Sequence, residues 1–380
     1  MALNQPRATV LPVLFLVLLP TVGGCGAGAA APGTNSVTFA FCGDVFLHSQ
    51  NIAAARDEGT QEFNFDPVFS QVKSRLDSAD FAVCWLGGEF SNTPPYRGYP
   101  LFRSPASLLH TLKRAGFDIC LATNHIMDGG RKGLAERIRL LDSLGLLHAG
   151  EFSSPAAAGR PLVLEKNGLR IALLSYTYGT NGLPVPERWM VSLIDTARMA
   201  EDVRRAESLK VDFTIVMLHQ GEEYRLTPTS EQVRTARFLA GLGVDLVVSS
   251  HPHVVEPAGM VEGVRPDSAP FRMPVLTYSL GNFYCGQSYP NTRTGLIVDV
   301  QLARDKSGTR IVDAGFTPTY IYKSERLPGR YRVLAIREAL AGFASGADST
   351  LTASDTADLR RELDAVTARV SNPSIPFQAR

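Results

Sequence analysis

Five short apolar stretches of this 380-residue chain each run straight into side chains that bind metal ions or move protons. They end in Cys42-Gly43-Asp44, Gly87-Gly88-Glu89, Thr123-Asn124-His125, His219-Gln220-Gly221-Glu222-Glu223 and Ser250-His251-Pro252-His253. Four of the seven histidines fall at these ends. Packing accounts easily for one such histidine and poorly for four. His251 and His253, two residues apart, place two imidazoles on one side of an extended segment, in reach of one ion or two adjacent ions. Imidazole with carboxylate and amide oxygens suits Mn²⁺, Fe or Zn²⁺ better than Mg²⁺ or a thiolate-seeking ion. Such an ion lowers the pKa of bound water and polarises a phosphoryl or acyl oxygen.

Taken one at a time, these residues have plainer readings. Asp44 after a glycine is equally a helix cap. Glu89 is also readable as a solvated loop acid, Asn124-His125 as a turn, and His219 as a core histidine. Glu222 and Glu223 are either partners that orient imidazoles or an exposed loop face. His48, His110 and His148 have no such neighbours in sequence and are read as surface or core residues. The joint pattern, in this order, is what predicts a metal site.

The positioning elements are strands alternating with helices. Nearly continuous apolar runs predict strands at Val37–Cys42, Phe81–Leu86, Phe117–Ala122, Arg170–Ser175, Phe213–Leu218, Leu246–Ser249 and Val275–Leu280, each covered on both faces. One amphipathic helix is expected from a Ser104 cap and Pro105 to a stop at Gly116, a second over about Gly130–Leu144, and a third opened by Thr229 or Ser230. Residues from about Thr294 to Tyr322 read as strand-rich, and two helical patterns and a polar tail follow Pro328. This is an α/β sandwich with a mixed sheet. In open sheets of this class ligands bind at the carboxyl ends of strands, so the five polar ends should converge.

Composition excludes other classes. With 44% hydrophobic and 20% charged residues the chain is neither disordered nor collagen-like. Lys plus Arg, 38, balances Asp plus Glu, 37, without a basic run, so nucleic acid is not an expected partner. No CxxC pair occurs, and Cys42, Cys84 and Cys120 lie in apolar runs as buried thiols.

Residues 1–24 read as a signal peptide, since the apolar run Val10–Leu19 is too short to span a bilayer. Val22-Gly23-Gly24-Cys25 resembles a bacterial lipobox, which would make Cys25 a lipidated N-terminus and residues 25–35 a flexible tether. An ordinary secreted protein with an incidental cysteine is the alternative. The expected product is an exported lipoprotein on the periplasmic or cell-surface side. A main domain over 36–323 and a helical extension and tail over 324–380 complete the organisation.

Gly43-Asp44-Val45, Tyr99-Pro100-Leu101-Phe102, Ala115-Gly116-Phe117-Asp118 and Asn124-His125-Ile126-Met127-Asp128-Gly129-Gly130 resemble the CapA (PgsA-type) poly-γ-glutamate capsule family. So do His219-Gln220-Gly221-Glu222-Glu223-Tyr224, the run Gly243–His253 and Tyr278-Ser279-Leu280-Gly281-Asn282-Phe283. That family lies within the calcineurin-like metallophosphoesterases. The resemblance implies a four-layer α/β/β/α sandwich and a role in synthesis or export of poly-γ-glutamate.

The resemblance also implies that Asp44, Glu89, Asn124, His219, His251 and His253 hold one or two divalent ions, with His125 as the acid that protonates a leaving oxygen. Phe46 stands where the superfamily carries a histidine, which weakens one metal position. Leu86-Gly87-Gly88-Glu89 replaces the usual Asn-Leu-Glu. Two functions remain open: a metal-dependent hydrolase, or a non-enzymatic accessory protein gripping an anionic polymer for the capsule machinery. Arg97 and Arg103 could contact its carboxylates or phosphates, or be plain loop arginines.

Overall fold

Along the strand Ser36–Val45, Phe39 and Phe41 point to one face and Ala40 and Cys42 to the other, and all four are buried. That double burial is why the sequence is apolar without alternation. A computed structural model describes residues 35–264, 270–371 and 377–380. The expected signal peptide, Cys25 and all but the last residue of the tether lie outside the described residues. Among the described residues no helix is long and apolar enough to cross a membrane.

Two mixed sheets stack. The first runs Tyr331–Ala335, Gly308–Lys323, Thr294–Asp305, Ser36–Val45, Phe81–Leu86, Ile119–Leu121, Leu147–Ala149, with Asn282–Tyr284 also paired to Ser36–Val45 and Gln378–Ala379 to Gly308–Lys323. The second runs Gly259–Val264, Pro270–Val275, Leu246–Ser250, Phe213–His219, Leu169–Thr177, Leu162–Lys166. Four neighbouring strands of each are parallel, and the flanking ones antiparallel.

Phe39, Phe41, Val83 and Trp85 meet Leu173, Ile215, Met217 and Val248 in the core between the sheets. Ala40, Cys42, Cys84 and Cys120 face Leu108, Leu109 and Leu112 of the helix Ser107–Ala115. Beyond the second sheet, Tyr176 and Val216 meet Met199 and Val203 of the helix Thr196–Ser208 and Leu239 of the helix Ser230–Gly241. The result is the four-layer α/β/β/α sandwich. Cys42, Cys84, Cys120 and Cys285 are buried free thiols, and burial pushes Cys42 and Cys84 well above the ordinary thiol range.

Local expectations differ in two places. Ser104 and Pro105 do not open a helix: Arg103–Pro105 is a short strand parallel to Glu89–Ser91, and the helix starts at Ser107. It does end at Gly116, whose φ of 105° only glycine adopts freely. The strand expected at Val275–Leu280 is Pro270–Val275 instead. After Val275 the Thr277 hydroxyl donates to the Ser279 carbonyl and accepts from the Ser279 N–H, which bends the chain out of the sheet. The helix at Thr229 has the expected cap, completed by reciprocal bonds with Gln232.

The C-terminal helices Ile336–Ala344 and Ala353–Val370 pack on the first sheet, whose edge strand is Tyr331–Ala335.

Candidate metal centre

Asp44 is delivered by a close approach of two strand ends. A Cβ on Gly43 would stand 1.9 Å from the Gly281 carbonyl oxygen, the oxygen that accepts the Asp44 N–H at 3.0 Å. Glycine at 43 therefore sets Asn282 beside Asp44. His219 Nε2 lies 3.2 Å from Asp44 Oδ1. His253 Nδ1 lies 2.9 Å from Asn282 Oδ1 and 3.2 Å from Asp44 Oδ2. One N–H cannot serve both well, and the shorter contact leaves Asp44 Oδ2 short of a partner.

His251 and His253 are not extended. Their φ values are 110° and 60°, a left-handed backbone costly for any residue with a Cβ. The turn still brings their rings to 5.9 Å, with His219 4.9 Å and Tyr178 4.6 Å from the His251 ring. One ligand atom each from Glu223, His251 and His253 lie within 4.8 Å of one another. Buried His251 Nδ1 and Asn124 Oδ1 have no hydrogen-bond partner among the described residues. A buried polar atom left unpaired costs ~1–3 kcal/mol, so a set of them converging on one place fits a bound cation. Nitrogen and carboxylate donors of this kind fit Mn, Fe or Zn.

The electrostatics favour ligation at His219 and His251 and oppose it at His253. Burial alone would raise the Asp44 carboxyl, but the His219 and His253 imidazoles hold it well below the usual range. Burial pushes His219 down against the opposing pull of Asp44. Burial, reinforced by His219 and His253, drives His251 well below an ordinary imidazole. Burial pushes His253 down too, but Asp44, Glu223 and Asn282 together lift it above its ordinary value. A neutral imidazole is the form that ligates metal.

His125 stands beside this cluster. Its Nδ1 lies 2.9 Å from Asp128 Oδ2, which also accepts the Phe102 N–H at 2.6 Å. Asn181 Nδ2 lies 3.1 Å from His125 Nε2. Asn181 Oδ1 in turn accepts from Tyr178 Oη at 2.9 Å and Asn124 Nδ2 at 3.0 Å. Nothing at sequence level marked Tyr178 or Asn181 beyond the turn signal Asn181-Gly182, and Asp128 appeared only inside a longer motif.

Phe46 presents its ring to His125 at 5.4 Å and to His253 at 5.7 Å, both edge-on. A Cβ on Gly87 would fall 1.8 Å from that ring. The apolar ring thus fills the space a side chain at 87 would need.

Glu89, expected as a metal ligand, faces Arg103 at 3.7 Å and Arg97 at 3.8 Å. Those two arginines, expected at substrate, are joined by their own backbone bridge and held by Ser91 Oγ and the Leu101 carbonyl. The acid grouped with the histidines is Glu223. His48 lines the adjoining cavity, and burial together with His253 and His125 pushes its imidazole down to about 4.

That cavity, of about 450 Å³, is bordered by Phe46, His125, His253, Glu223, Tyr224 and Tyr289 among others. A larger hollow of about 860 Å³, near Phe63 and Tyr96, carries none of these residues.

Residues 38–287 match the family described as bacterial capsule synthesis protein PGA_cap. The chain is 24% identical over 333 residues to the capsule biosynthesis protein CapA of Bacillus anthracis, covering 82% of this chain and 75% of that one. It is 25% identical over 348 residues to the PGA biosynthesis protein CapA of Bacillus subtilis, covering 86% and 83%. Among solved structures it is similar to the calcineurin-like phosphoesterase YfkN of Bacillus subtilis, at 11% identity and a TM-score of 0.41 over 87% of this chain and 98% of that one. With well over half its length inside the family match, the chain belongs to the bacterial capsule synthesis proteins of the PGA_cap family.

Proposed function

We propose that this chain is an exported, lipid-anchored hydrolase of phosphoesters that depends on a divalent metal and serves capsule or poly-γ-glutamate synthesis at the cell surface. The observation that carries the reading is the grouping of ligand atoms of Glu223, His251 and His253 within 4.8 Å of one another, with His251 Nδ1 unpartnered among the described residues and an oriented His125 beside them. His251, His253 and Glu223 would hold one ion, and Asp44 Oδ2 and Asn124 Oδ1, both without a hydrogen-bond partner among the described residues, would be further donors.

A bound Mn, Fe or Zn ion supplies water of lowered pKa and a polarised phosphoryl oxygen. The chain's own residues do the rest. Asp128 fixes the His125 ring, so that Nε2 is the atom able to hand a proton to a leaving oxygen. Phe46 and Phe102 pack edge-on against that ring and keep bulk water from those sides. Asn181 occupies the Nε2 direction and must give way when a leaving group arrives.

The test is turnover of an alkyl and a nitrophenyl phosphoester by the purified mature chain loaded with Mn²⁺ or Zn²⁺, alongside metal analysis. Cys25→Ser, checked by labelled fatty acid, tests the anchor: incorporation into the variant, or none into the wild type, removes it. Phe46 in a ligand's place favours one alternative, a non-enzymatic accessory protein that binds an anionic polymer. A metal-loaded chain that hydrolyses neither ester selects it.

A further inference from the structure

The cavity beside the histidines is poorly furnished for a polyanion. Among the described residues that line it there is no Lys or Arg, and its one carboxylate is Glu223. Arg97 and Arg103 are turned to Glu89. With one carboxylate taken by an ion at the histidines, a run of glutamates would find no Lys or Arg among these lining residues to pair its remaining carboxylates.

What the cavity does carry is aromatic surface. Tyr99, Tyr224 and Tyr289 line it and are 74%, 38% and 60% exposed. Large rings left in water and gathered round one hollow mark a binding surface more than they mark folding. Tyr224 and Tyr289 lie 4.7 Å apart at 43°, so they touch each other and leave no slot between them. Tyr289, the more exposed of the two, carries most of the open ring surface.

The pair is built in. Tyr224 takes a φ of 67°, unusual for a residue with a side chain, and its N–H bonds to the Pro252 carbonyl at 2.8 Å, between the two ligand histidines. Gln287 Nε2 donates to Tyr224 Oη at 3.2 Å, while Asn282 Nδ2 donates to Gln287 Oε1 at 3.0 Å. Tyr224 also lies nearly parallel to the His253 ring, 6.3 Å away. A flat group resting on the tyrosines would therefore be next to a phosphoryl group held at the histidine cluster.

We propose that this cavity receives a phosphoester carrying an uncharged ring, the base of a nucleotide or the sugar of a glycosyl phosphate, and not a polyglutamate chain. The inference rests on the phosphoester reading above and names the substrate class of the same site. A π-face accepts either kind of ring without charge. Ring stacking on an aromatic side chain is worth ~1–3 kcal/mol, about 5- to 150-fold in affinity.

The experiment is equilibrium binding to the full mature chain loaded with Zn²⁺, using inert phosphonates so that turnover plays no part. The probes are the phosphonate analogues of adenosine monophosphate and of glucose 1-phosphate, methylphosphonate as the ringless baseline, and penta-γ-glutamate. At least one ring-bearing phosphonate should bind about tenfold or more tighter than methylphosphonate, and which one does so tells base from sugar. Tyr289→Ala, at an exposed position, should abolish that gain, and Tyr289→Phe should retain it. Ring phosphonates within twofold of methylphosphonate overturn the inference. So does pentaglutamate binding tighter than both and indifferent to Tyr289→Ala. A chain that shows the ring gain yet turns over no ester loses the hydrolase reading alone. One that hydrolyses methyl phosphate with no ring gain loses this inference alone.

Discussion

Asn181 Nδ2 faces His125 Nε2 at 3.1 Å, while Asp128 Oδ2 takes the other ring nitrogen at 2.9 Å. The orientation of the Asn181 amide is assigned by its oxygen, which accepts from Tyr178 and Asn124. Asn181 thus stands where a leaving oxygen must approach His125 Nε2, which ties acid function to filling of the cavity.

The acid role has a kinetic signature. His125→Asn should keep metal content and lose ~10²–10⁴-fold in turnover of an alkyl phosphoester, the usual worth of general acid–base help. The loss should shrink on a nitrophenyl ester, whose leaving group needs no proton. Equal rate ratios on the two esters would remove His125 from the acid role.

Metal retention is the second expectation. Replacing both His251 and His253 by Ala should lower affinity for Zn²⁺ or Mn²⁺ by more than the ~10–100-fold typical of disturbing residues that merely orient a ligand. Far-ultraviolet circular dichroism should be unchanged. Metal analysis of the folded double variant decides, and an undiminished content would defeat the site.

Glu256 predicts a pH effect on stability. It is buried, accepts from Gln232 Nε2 at 2.7 Å and leaves Oε1 without a partner among the described residues. Burial raises its carboxyl from 4.5 to about 7, against the opposing Gln232 bond and Arg225. An acid raised in the folded state binds its proton more tightly there than in the unfolded chain. Its contribution is complete below about pH 4.5 and is lost as pH rises to about 7. Urea unfolding of Glu256→Gln against wild type should show a stability difference that moves in the variant's favour across that window, by up to about 3 kcal/mol. A constant difference would contradict the buried-acid account.

Gly87 and Phe46 should be energetically coupled. Gly87→Ala drives a methyl into the Phe46 ring and should destabilise by ~1–3 kcal/mol, the cost of overpacking. In Phe46→Ala the same change should cost much less, an interaction energy measurable in a double-mutant cycle. Additive costs would mean the ring does not fill that space.

The strands were legible because buried parallel strands are apolar on both faces, as Phe39 to Cys42 are, so the polar residues at their ends stood out. What the backbone does after the strand ends was not legible. Glu89 follows its strand much as Asp44 does, yet Gly88 turns at a φ of 88° and Glu89 pairs in register with Arg103. That pairing is non-local and left no trace in the local pattern. Glu222 and Glu223 could not be told apart, since the choice depends on the Gly221 turn, at a φ of 129°, and on the Tyr224 bond to Pro252. Asn181 was silent because its role exists only when the loop after Leu169–Thr177 folds over His125.

The last helix reaches back into the middle of the sandwich. Val366 and Val370 share the inter-sheet core with Val298, Val300 and Phe316, Phe377 lies 4.9 Å from the Phe316 ring, and Arg369 bonds the Val255 carbonyl two residues beyond His253. Residues 366–377 thus complete an interior whose other members lie before residue 317, contacts of long sequence separation that slow folding. A chain stopped at residue 323 would lack Val366, Val370 and Phe377, and Val298, Val300 and Phe316 would lose that cover.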